Sequence, residues 1–384
     1  MNTFARLVTA VAVGATAACV VALPATAAPR HVVAVTPAPG EAVPGHYIVT
    51  VTGDARAVAA AAHVTPRYTY DRALDGFAAA LDDHQLDALR HDPRVVRIEQ
   101  DAVVHADTVQ PLGPTQSWGL DRIDQRSLPL DGNYNVVANG AGTNAYVIDT
   151  GIYIYHSDFG GRAHVAYDAL GGNGIDCNGH GTEVAGIVGG TTYGVAKAVT
   201  LWSVRVLDCN GSGSYSAVIA GLNWVASYHT SRAVAVIGVG GGYSSSLNDA
   251  VTNMSNSGVF TAVGAGSSNA DACSYSPSSA YGTVTAAASE SNDYRASFSN
   301  YGACVDLYAP GVNVPTDGTG GPTTMTSTVA SAAFVTGAGA LYKGDFGDAS
   351  WQTVANWIIN NATPNVIKNN PSGTPNRLLY VGGL

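Results

Sequence analysis

An apolar run that ends in an acid and a glycine sets the strongest constraint on the fold of this chain. The segment Asn144-Ala-Tyr-Val-Ile-Asp149-Thr-Gly151 is largely apolar up to Asp149 and then turns at Gly151. This pattern is typical of a buried parallel strand, which ends at the sheet edge where ligands bind. Asp149 is therefore predicted to lie at a functional edge of a parallel sheet.

Strand-like and helix-like segments alternate along the rest of the C-terminal part. Strand-like runs occupy 199–207, 233–239 and 259–265, and helix-like runs occupy 216–227 and 247–257. Such alternation indicates crossover connections between parallel strands. The pattern predicts an α/β fold with a doubly wound, mostly parallel sheet and helices on both faces.

A histidine between two glycines is the second candidate for chemistry. His180 stands in Asn178-Gly-His-Gly-Thr-Glu183, at the start of a helix of small residues. Glycine on both sides permits close backbone packing, and an acid at a strand end can orient an imidazole. Asp149 and His180 are thus expected to act together.

The first residues have the features of an export signal. Arg6 precedes an apolar run from Leu7 to Leu23, and Ala25-Thr-Ala27 has the small residues that a signal peptidase recognises. We predict a signal peptide over residues 1–27 and a secreted, extracellular protein; a membrane anchor is the alternative for this run. Cys19 leaves with the signal, and the other four cysteines then lie in an oxidising compartment, where three pairings are open.

The low charge and the lack of a basic stripe exclude nucleic acid as a partner. Only 12% of the residues are charged and the net charge is −10, which leaves no basic stripe for nucleic acid. No membrane contact is expected once the signal has been removed, and a monomer is expected.

Residues 28–107 resemble a separate small domain. Strand-like runs lie at 46–52, 73–81 and 95–98, and helical runs lie at 56–62 and 83–90. Asp82 and Pro93 are start and stop signals for the second helix. Two helices on one face of an antiparallel sheet, an α+β arrangement, are expected.

Several motifs resemble the subtilase family of serine proteases, most closely its proteinase K and aqualysin branch. They are Trp118-Gly-Leu-Asp-Arg-Ile-Asp-Gln125, Val147-Ile-Asp-Thr-Gly151, Asp176-Cys-Asn-Gly-His-Gly-Thr182, Tyr193-Gly-Val-Ala-Lys197, Val206-Leu-Asp-Cys-Asn-Gly-Ser-Gly213, Gly240-Gly-Gly-Tyr-Ser244 and Ser297-Phe-Ser-Asn-Tyr-Gly302. The resemblance implies a subtilisin-like peptidase domain over 108–384 and an inhibitor-like propeptide over 28–107.

The resemblance also implies a catalytic order of Asp, His and Ser. Asp149 and His180 fall on the first two positions. The family nucleophile lies in a Gly-Thr-Ser-Met-Ala segment, and the local text Thr326-Ser-Thr-Val-Ala330 places Val329 on the catalytic serine. Valine has no lone pair to attack with and no proton to give to His180.

Other family positions have changed as well. Ser267 replaces the asparagine that donates to the oxyanion, and loss of such a donor costs about 10² to 10³ in rate. The remaining departures are Glu183 for His, Phe334 for His, Ala333 for Pro and Gly238 for Ser. Ser331 is two residues beyond position 329, so it points away on a helix, and Ser327 precedes the turn.

Peptide binding is expected to survive these changes. The family pairs an extended substrate with two segments that here run from Gly211 through Gly213 to Tyr215, and from Val239 through Gly240 to Gly241. The first hypothesis is a catalytically defective, secreted subtilase homologue, a pseudoprotease that binds peptide or protein segments, including its own propeptide. The alternative is an active serine endopeptidase that uses Ser327 or Ser331, and a third hypothesis is water activated between His180 and Glu183.

Two structural sites follow from the same resemblance. It implies disulfides between Cys177 and Cys209 and between Cys273 and Cys304. It further implies a structural calcium ion held by Asp121, Asp124 and Gln125, whose acid and amide oxygens suit that ion.

Overall fold

The computed structural model describes residues 31–106 and 117–384. The predicted signal peptide and the predicted boundary at 107/108 lie outside these residues, so both stay predictions.

The N-terminal part is a small α+β domain. Its elements are β1 (Val35–Thr36), β2 (Ala42–Val51), α1 (Ala55–Ala61), β3 (Tyr68–Tyr70), β4 (Gly76–Ala80), α2 (Asp83–His91) and β5 (Val95–Ala106). Strands β3, β4, β2 and β5 pair antiparallel in that order. Asp82 begins α2 with a capping box, in which its side chain accepts from the Gln85 N–H and Gln85 reaches back to the Asp82 N–H.

The C-terminal part contains the remaining elements. These are α3 (Trp118–Ile123), β6 (Asn144–Asp149), β7 (Ala163–Asp168), α4 (His180–Gly189), β8 (Thr200–Arg205), β9 (Ser212–Ser214), α5 (Tyr215–Tyr228), β10 (Ala233–Ile237), β11 (Val239–Gly242), α6 (Ser245–Asn256), β12 (Phe260–Gly264), β13 (Tyr275–Ser276), β14 (Val284–Ser289), β15 (Leu307–Pro310), β16 (Val314–Gly318), β17 (Gly321–Met325), α7 (Thr328–Phe346), α8 (Trp351–Asn361), β18 (Thr363–Pro364) and β19 (Arg377–Leu378). Two short 3₁₀ turns cover Ser157–Phe159 and Ala272–Ser274.

A nine-stranded sheet organises this part in the order β18-β19-β15-β14-β12-β10-β6-β8-β7. Every neighbouring pair is parallel except the short pair β18 and β19. One apolar core joins α4, α7 and α8 to one face of the sheet, and a second joins α5 and α6 to the other. The predicted doubly wound α/β fold is therefore confirmed. The segment 233–239, expected as one strand, is interrupted at Gly238, because the chain leaves the sheet there to form β11.

Strand β5 connects the two parts of the molecule. Its first half pairs with β2, and its last residues pair antiparallel with both β9 and β11 of the C-terminal part. Within residues 31–106 and 117–384, no helix combines the length and the apolar character that a membrane crossing requires.

Candidate active site

Asp149 ends strand β6 at the carboxyl edge of the nine-stranded sheet. Parallel neighbours β10 and β8 flank this strand, and the Asp149 side chain is fully buried. Its Oδ1 atom accepts a hydrogen bond from the Thr150 N–H at 2.6 Å. The apolar run thus places the carboxylate where the sequence predicts it.

His180 is the first residue of α4, and its ring contacts Asp149 directly. Nδ1 of His180 lies 2.8 Å from Oδ1 and 2.9 Å from Oδ2 of Asp149, and both side chains are fully buried. A Cβ on Gly181 would lie 2.1 Å from the carbonyl oxygen of Gly151, so glycine is required there for the approach. The two residues form a dyad in which a carboxylate holds the imidazole tautomer and stabilises its charged form.

Val329 occupies the first turn of α7. Ser327 is the N-cap of this helix, and its Oγ accepts from the Val329 N–H at 2.9 Å. The Val329 side chain is buried in the larger apolar core. Thr328 Oγ1 accepts the Gly266 N–H at 3.0 Å, which ties the start of α7 to the loop that carries Ser267.

The hydroxyl of Ser331 faces the sheet. It donates to the carbonyl oxygens of Ala309 and Pro310 in β15, at 2.9 and 3.2 Å, and Ser331 is fully buried. The direction expected from helix geometry is therefore the one observed.

Ser267 lies beside a small cavity. This cavity has a volume of about 120 Å³, and its wall includes Gly240 and Gly241 of β11 together with Ser267. The oxyanion position of the resemblance thus borders the predicted peptide-binding strand.

Two strands of the C-terminal part hold an extended segment between them. His105 of β5 pairs with Ser212 of β9 and with Gly240 of β11, while Ala106 pairs with Val239. The Ala106 N–H also donates to the Gly211 carbonyl at 2.8 Å. The predicted peptide-binding segments are thus brought together, and the end of β5 lies between them.

Glycines let strands β9 and β11 pack closely against the elements beside them. A Cβ on Gly213 would approach the Val206 carbonyl oxygen to 2.5 Å, and one on Gly241 would approach the Tyr215 hydroxyl to 2.3 Å. Tyr215 is buried at the start of α5, and its hydroxyl donates to the Gly242 carbonyl at 2.6 Å. These positions explain why the cleft is rich in glycine.

Two acids of β5 contact the N-termini of helices, a feature that sequence reasoning missed. Asp101 accepts from the N–H and the hydroxyl of Ser216 in α5, at 3.1 and 2.5 Å. Glu99 accepts from the Ser244 hydroxyl at 2.8 Å and from the Ser246 N–H at 3.2 Å, at the start of α6. Carboxylates are stabilised at helix N-termini by unpaired N–H groups and the helix dipole. Both acids lie beyond the run 95–98 that was predicted as a strand, because β5 continues to Ala106, and the sequence around them does not show these contacts.

Two more acids lie on α4 and on β16, which packs against α4. Burial raises the pKa of Glu183, on the first turn of α4, to about 7, although the neighbouring His180 opposes this shift. Burial and the adjacent Asp158 carboxyl raise the pKa of Asp317, on β16, to about 8. Asp317 is therefore mainly protonated at neutral pH.

The two disulfides join the pairs that the resemblance implies. Cys177 is bonded to Cys209 and Cys273 to Cys304. The first one ties the loop before His180 to the loop before β9.

The candidate calcium ligands lie elsewhere, on α3 and the loop after it. The Asp121 carboxylate accepts the N–H groups of Asp131 and Gly132 at 3.2 and 2.8 Å. Burial, followed by the nearby Asp121 and Asp131 carboxylates, raises the pKa of Asp124. A cation would relieve this crowding of acids, and oxygen donors suit calcium. Among residues 31–106 and 117–384, however, no three acidic, His or Cys side chains are arranged as a metal-binding group.

Comparison with known proteins identifies the family. Residues 140–380 match the sequence model of the Subtilase family, and residues 46–107 match that of the peptidase inhibitor I9. The chain belongs to the subtilase family and carries an I9 propeptide domain.

Two relatives are an extracellular serine proteinase of Thermus sp. (strain Rt41A) and an alkaline serine exoprotease A of Vibrio alginolyticus. The first is 52% identical over 317 residues, which cover 81% of this chain and 76% of the relative. The second is 45% identical over 317 residues, which cover 81% of this chain and 59% of the relative. The crystal structure of a cold adapted subtilisin-like serine proteinase matches with a TM-score of 0.68 and 45% identity, over 70% of this chain and 99% of the other. The extracellular relatives agree with the predicted export of this chain, which is a secreted subtilase.

Proposed function

We propose that this secreted subtilase binds extended peptide segments in its cleft without hydrolysing them. The observation that carries the proposal is Val329 at the start of α7, where the family resemblance requires the nucleophilic serine. A side chain without oxygen can neither attack a carbonyl carbon nor give a proton to His180.

The neighbouring serines support the same function. Ser331 donates into β15, on the sheet side of α7. Ser327 is the N-cap, and its Oγ accepts the Val329 N–H. Use of either hydroxyl as a nucleophile requires α7 to shift or to lose its cap, and loss of a cap costs about 1 kcal/mol.

Peptide binding is supported by the pairing of β5 with β9 and β11. Main-chain hydrogen bonds provide affinity for extended segments whatever the side chains are. In the full chain the bound segment is the end of β5 itself, so the propeptide domain is the first partner we propose. We propose the domain boundary at 107/108, after Ala106, the last residue of this strand.

Fluorophosphonate labelling of the purified, exported protein tests the chemical part of the proposal. We expect no label on the natural chain and a label on Val329→Ser, which serves as the positive control. A label on Ser327 or Ser331 of the natural chain would overturn the proposal and establish the active-enzyme alternative.

Binding is tested separately with a synthetic peptide that has the sequence of residues 97–106. We expect it to bind to a form whose own β5 is weakened by Asp101→Ala, and to bind more weakly to the natural chain. Absence of binding to the Asp101→Ala form, at peptide concentrations above the millimolar range that the tethered β5 provides, would refute peptide recognition even if no serine is labelled.

A structural calcium ion at Asp121, Asp124 and Gln125 is proposed as a separate point. Its support is the crowding of acidic oxygens in the loop that follows α3. We expect calcium to raise the melting temperature and Asp124→Asn to remove this effect. An equal response of the two forms to calcium would contradict the site.

A further inference from the structure

One of the two disulfides is exposed and lies against an arginine. Cys177 and Cys209 are both exposed residues. Nη2 of Arg205 lies 3.5 Å from Sγ of Cys177 and 3.7 Å from Sγ of Cys209, so its N–H groups face both sulfur atoms of the bond. A thiol that attacks this bond can therefore reach it from solvent and finds a cation beside it.

The other nitrogens of Arg205 hold the guanidinium in this position. Nε donates to the Leu207 carbonyl at 3.2 Å, and Nη1 donates to Oδ2 of Asp168 at 3.4 Å. The Asp168 carboxylate also accepts the N–H groups of Leu170 and Gly174, at 2.8 and 2.9 Å. Only 12% of the Arg205 side chain is exposed, so solvent screens its charge less than that of a surface arginine.

The second disulfide provides a comparison within the same molecule. Cys273 and Cys304 are half-buried, and among residues 31–106 and 117–384 no side chain donates a hydrogen bond to either of their sulfurs. The two bonds close loops of nearly equal length, with sequence separations of 32 and 31. Loop-closure entropy therefore does not distinguish them, whereas exposure and the neighbouring guanidinium do.

We propose that the Cys177–Cys209 bond is a site of thiol–disulfide exchange, at which a small external thiol opens the tie between the loop before His180 and the loop before β9. The external thiolate attacks Sγ of Cys209 and forms a mixed disulfide there. The bond between the two cysteines breaks, and its electron pair passes to Sγ of Cys177, the sulfur nearer to Nη2. A cation beside a sulfur stabilises the thiolate, and a more stable thiolate leaves faster.

A second molecule of the external thiol completes the exchange. Its thiolate attacks the external sulfur of the mixed disulfide, and Cys209 leaves as a thiolate that takes up a proton. The products are two protein thiols and one disulfide of the external thiol, which supplies both electrons.

Opening of this bond affects the binding of β5, a consequence that rests on the proposed function. Ser212 and Ser214 of β9 pair with His105 and Val103 of β5, and Cys209 lies just before β9. The hydrogen bond from Asn178 to the Cys209 carbonyl, at 3.1 Å, remains between the two loops after reduction. Because the covalent tie is then lost, β9 should hold β5 less firmly.

Differential alkylation of the full exported chain tests the exchange site. The chain is incubated with graded concentrations of glutathione, and freed thiols are blocked with one isotopic form of iodoacetamide. The remaining cysteines are blocked with a second form after denaturation and full reduction, and mass spectrometry gives the reduced fraction of each pair. We expect Cys177 and Cys209 to be reduced about tenfold faster than Cys273 and Cys304. Equal rates, or faster reduction of the second pair, would overturn the proposal.

Arg205→Gln tests the role of the guanidinium, with Arg162→Gln as the matched control. Arg162 is also half-buried, but its Nη1 donates to the carbonyl oxygens of Gly189 and Val199. Arg205→Gln should slow reduction of the exposed bond about threefold to tenfold relative to the second bond in the same sample, because the leaving thiolate loses a stabilising charge. The control should leave this ratio unchanged. An unchanged or higher ratio in Arg205→Gln, or glutathione attached to Cys177 instead of Cys209, would contradict the assigned leaving group.

The consequence for β5 is measured separately. We expect an added protease to remove the N-terminal domain faster after selective reduction and alkylation of Cys177 and Cys209. Equal rates before and after this treatment would refute the link to β5. The alkylation experiment uses neither hydrolysis nor peptide binding, so the exchange site and the proposed function can fail separately.

Discussion

Strands β9 and β11, for which we propose peptide binding, and the start of α7, where the family resemblance places the nucleophile, depend on different parts of their residues. Strands β9 and β11 contact β5 through main-chain atoms and are formed largely by glycine and serine. At the start of α7, by contrast, nucleophilic chemistry depends on which side chain stands at position 329, and here it is valine. Recognition by backbone atoms survives most substitutions, whereas nucleophilic chemistry requires one particular atom. One residue can therefore remove catalysis from a cleft and leave binding in place.

The largest effect is expected from Val329→Ser combined with Ser267→Asn. This double variant returns a hydroxyl to the start of α7 and an amide donor to position 267. Loss of the nucleophile costs on the order of 10⁶ in rate, and loss of an oxyanion donor about 10² to 10³. We expect at least a 10³-fold gain in peptide hydrolysis and release of the N-terminal domain by cleavage near residue 107. Mass spectrometry of the exported chain and a fluorogenic peptide assay measure both. If the variant folds but remains uncut and inactive, substitutions at other positions also prevent catalysis.

A smaller effect is expected from Asp101→Ala, which weakens the docking of the N-terminal domain. Removal of the carboxylate leaves the buried Ser216 N–H without its acceptor and the Ser216 hydroxyl with Ser214 Oγ as its remaining partner, at a cost of about 1–3 kcal/mol. The N-terminal domain should then become easier to remove with an added protease. Glu41→Ala, at an exposed position in the same domain, is the control. Equal rates of proteolysis in the two variants would contradict the role of Asp101 in docking.

Asp317→Asn is expected to change stability in a pH-dependent manner. Burial and Asp158 raise the pKa of Asp317 from 3.8 to about 8, so the folded state disfavours the carboxylate form. The natural chain therefore loses stability as the pH rises from about 4 to 8, and the amide avoids this loss. The variant should match the natural chain at pH 4 and be more stable by up to a few kcal/mol at pH 8 and above.

Urea unfolding at pH 5, 7 and 9 measures this effect, with exposed Asp345→Asn as the control. A difference between Asp317→Asn and the natural chain that does not grow with pH would refute the prediction.

The smallest effect is expected from Ser331→Ala. Its hydroxyl donates to two carbonyl oxygens of β15, so the loss should be about 1 kcal/mol of unfolding free energy. In the Val329→Ser, Ser267→Asn background it should not alter hydrolysis by more than about twofold. A large fall in hydrolysis would show that Ser331 takes part in the chemistry.

Much of the fold could be predicted from the sequence because its signals are local. The run from Asn144 to Asp149 is apolar on both faces, and helix and strand periods alternate after it, so the sheet and its covering helices follow from the pattern. The capping box that begins at Asp82 is likewise encoded within four residues.

The rest of the site depends on contacts between distant segments. Nothing in the neighbourhood of Glu99 and Asp101 shows that the starts of α6 and α5 approach them. Likewise, the pKa of Asp317 is raised first by burial and then by Asp158, which is far away in sequence. Such features arise only when the chain is folded, so a single sequence without its structure does not contain a readable signal for them.

The covalent link between β5 and the C-terminal part affects how a free peptide competes with β5 for the cleft. A segment tethered in this way acts at an effective concentration in the millimolar range, so a free peptide must exceed that level to displace it or bind correspondingly more tightly. The affinity measured for a free peptide therefore depends on whether the covalent link between β5 and the C-terminal part is intact. Cleavage near residue 107 by any other protease would remove this advantage, so that β5 and foreign peptides would then compete for the cleft by their affinities alone.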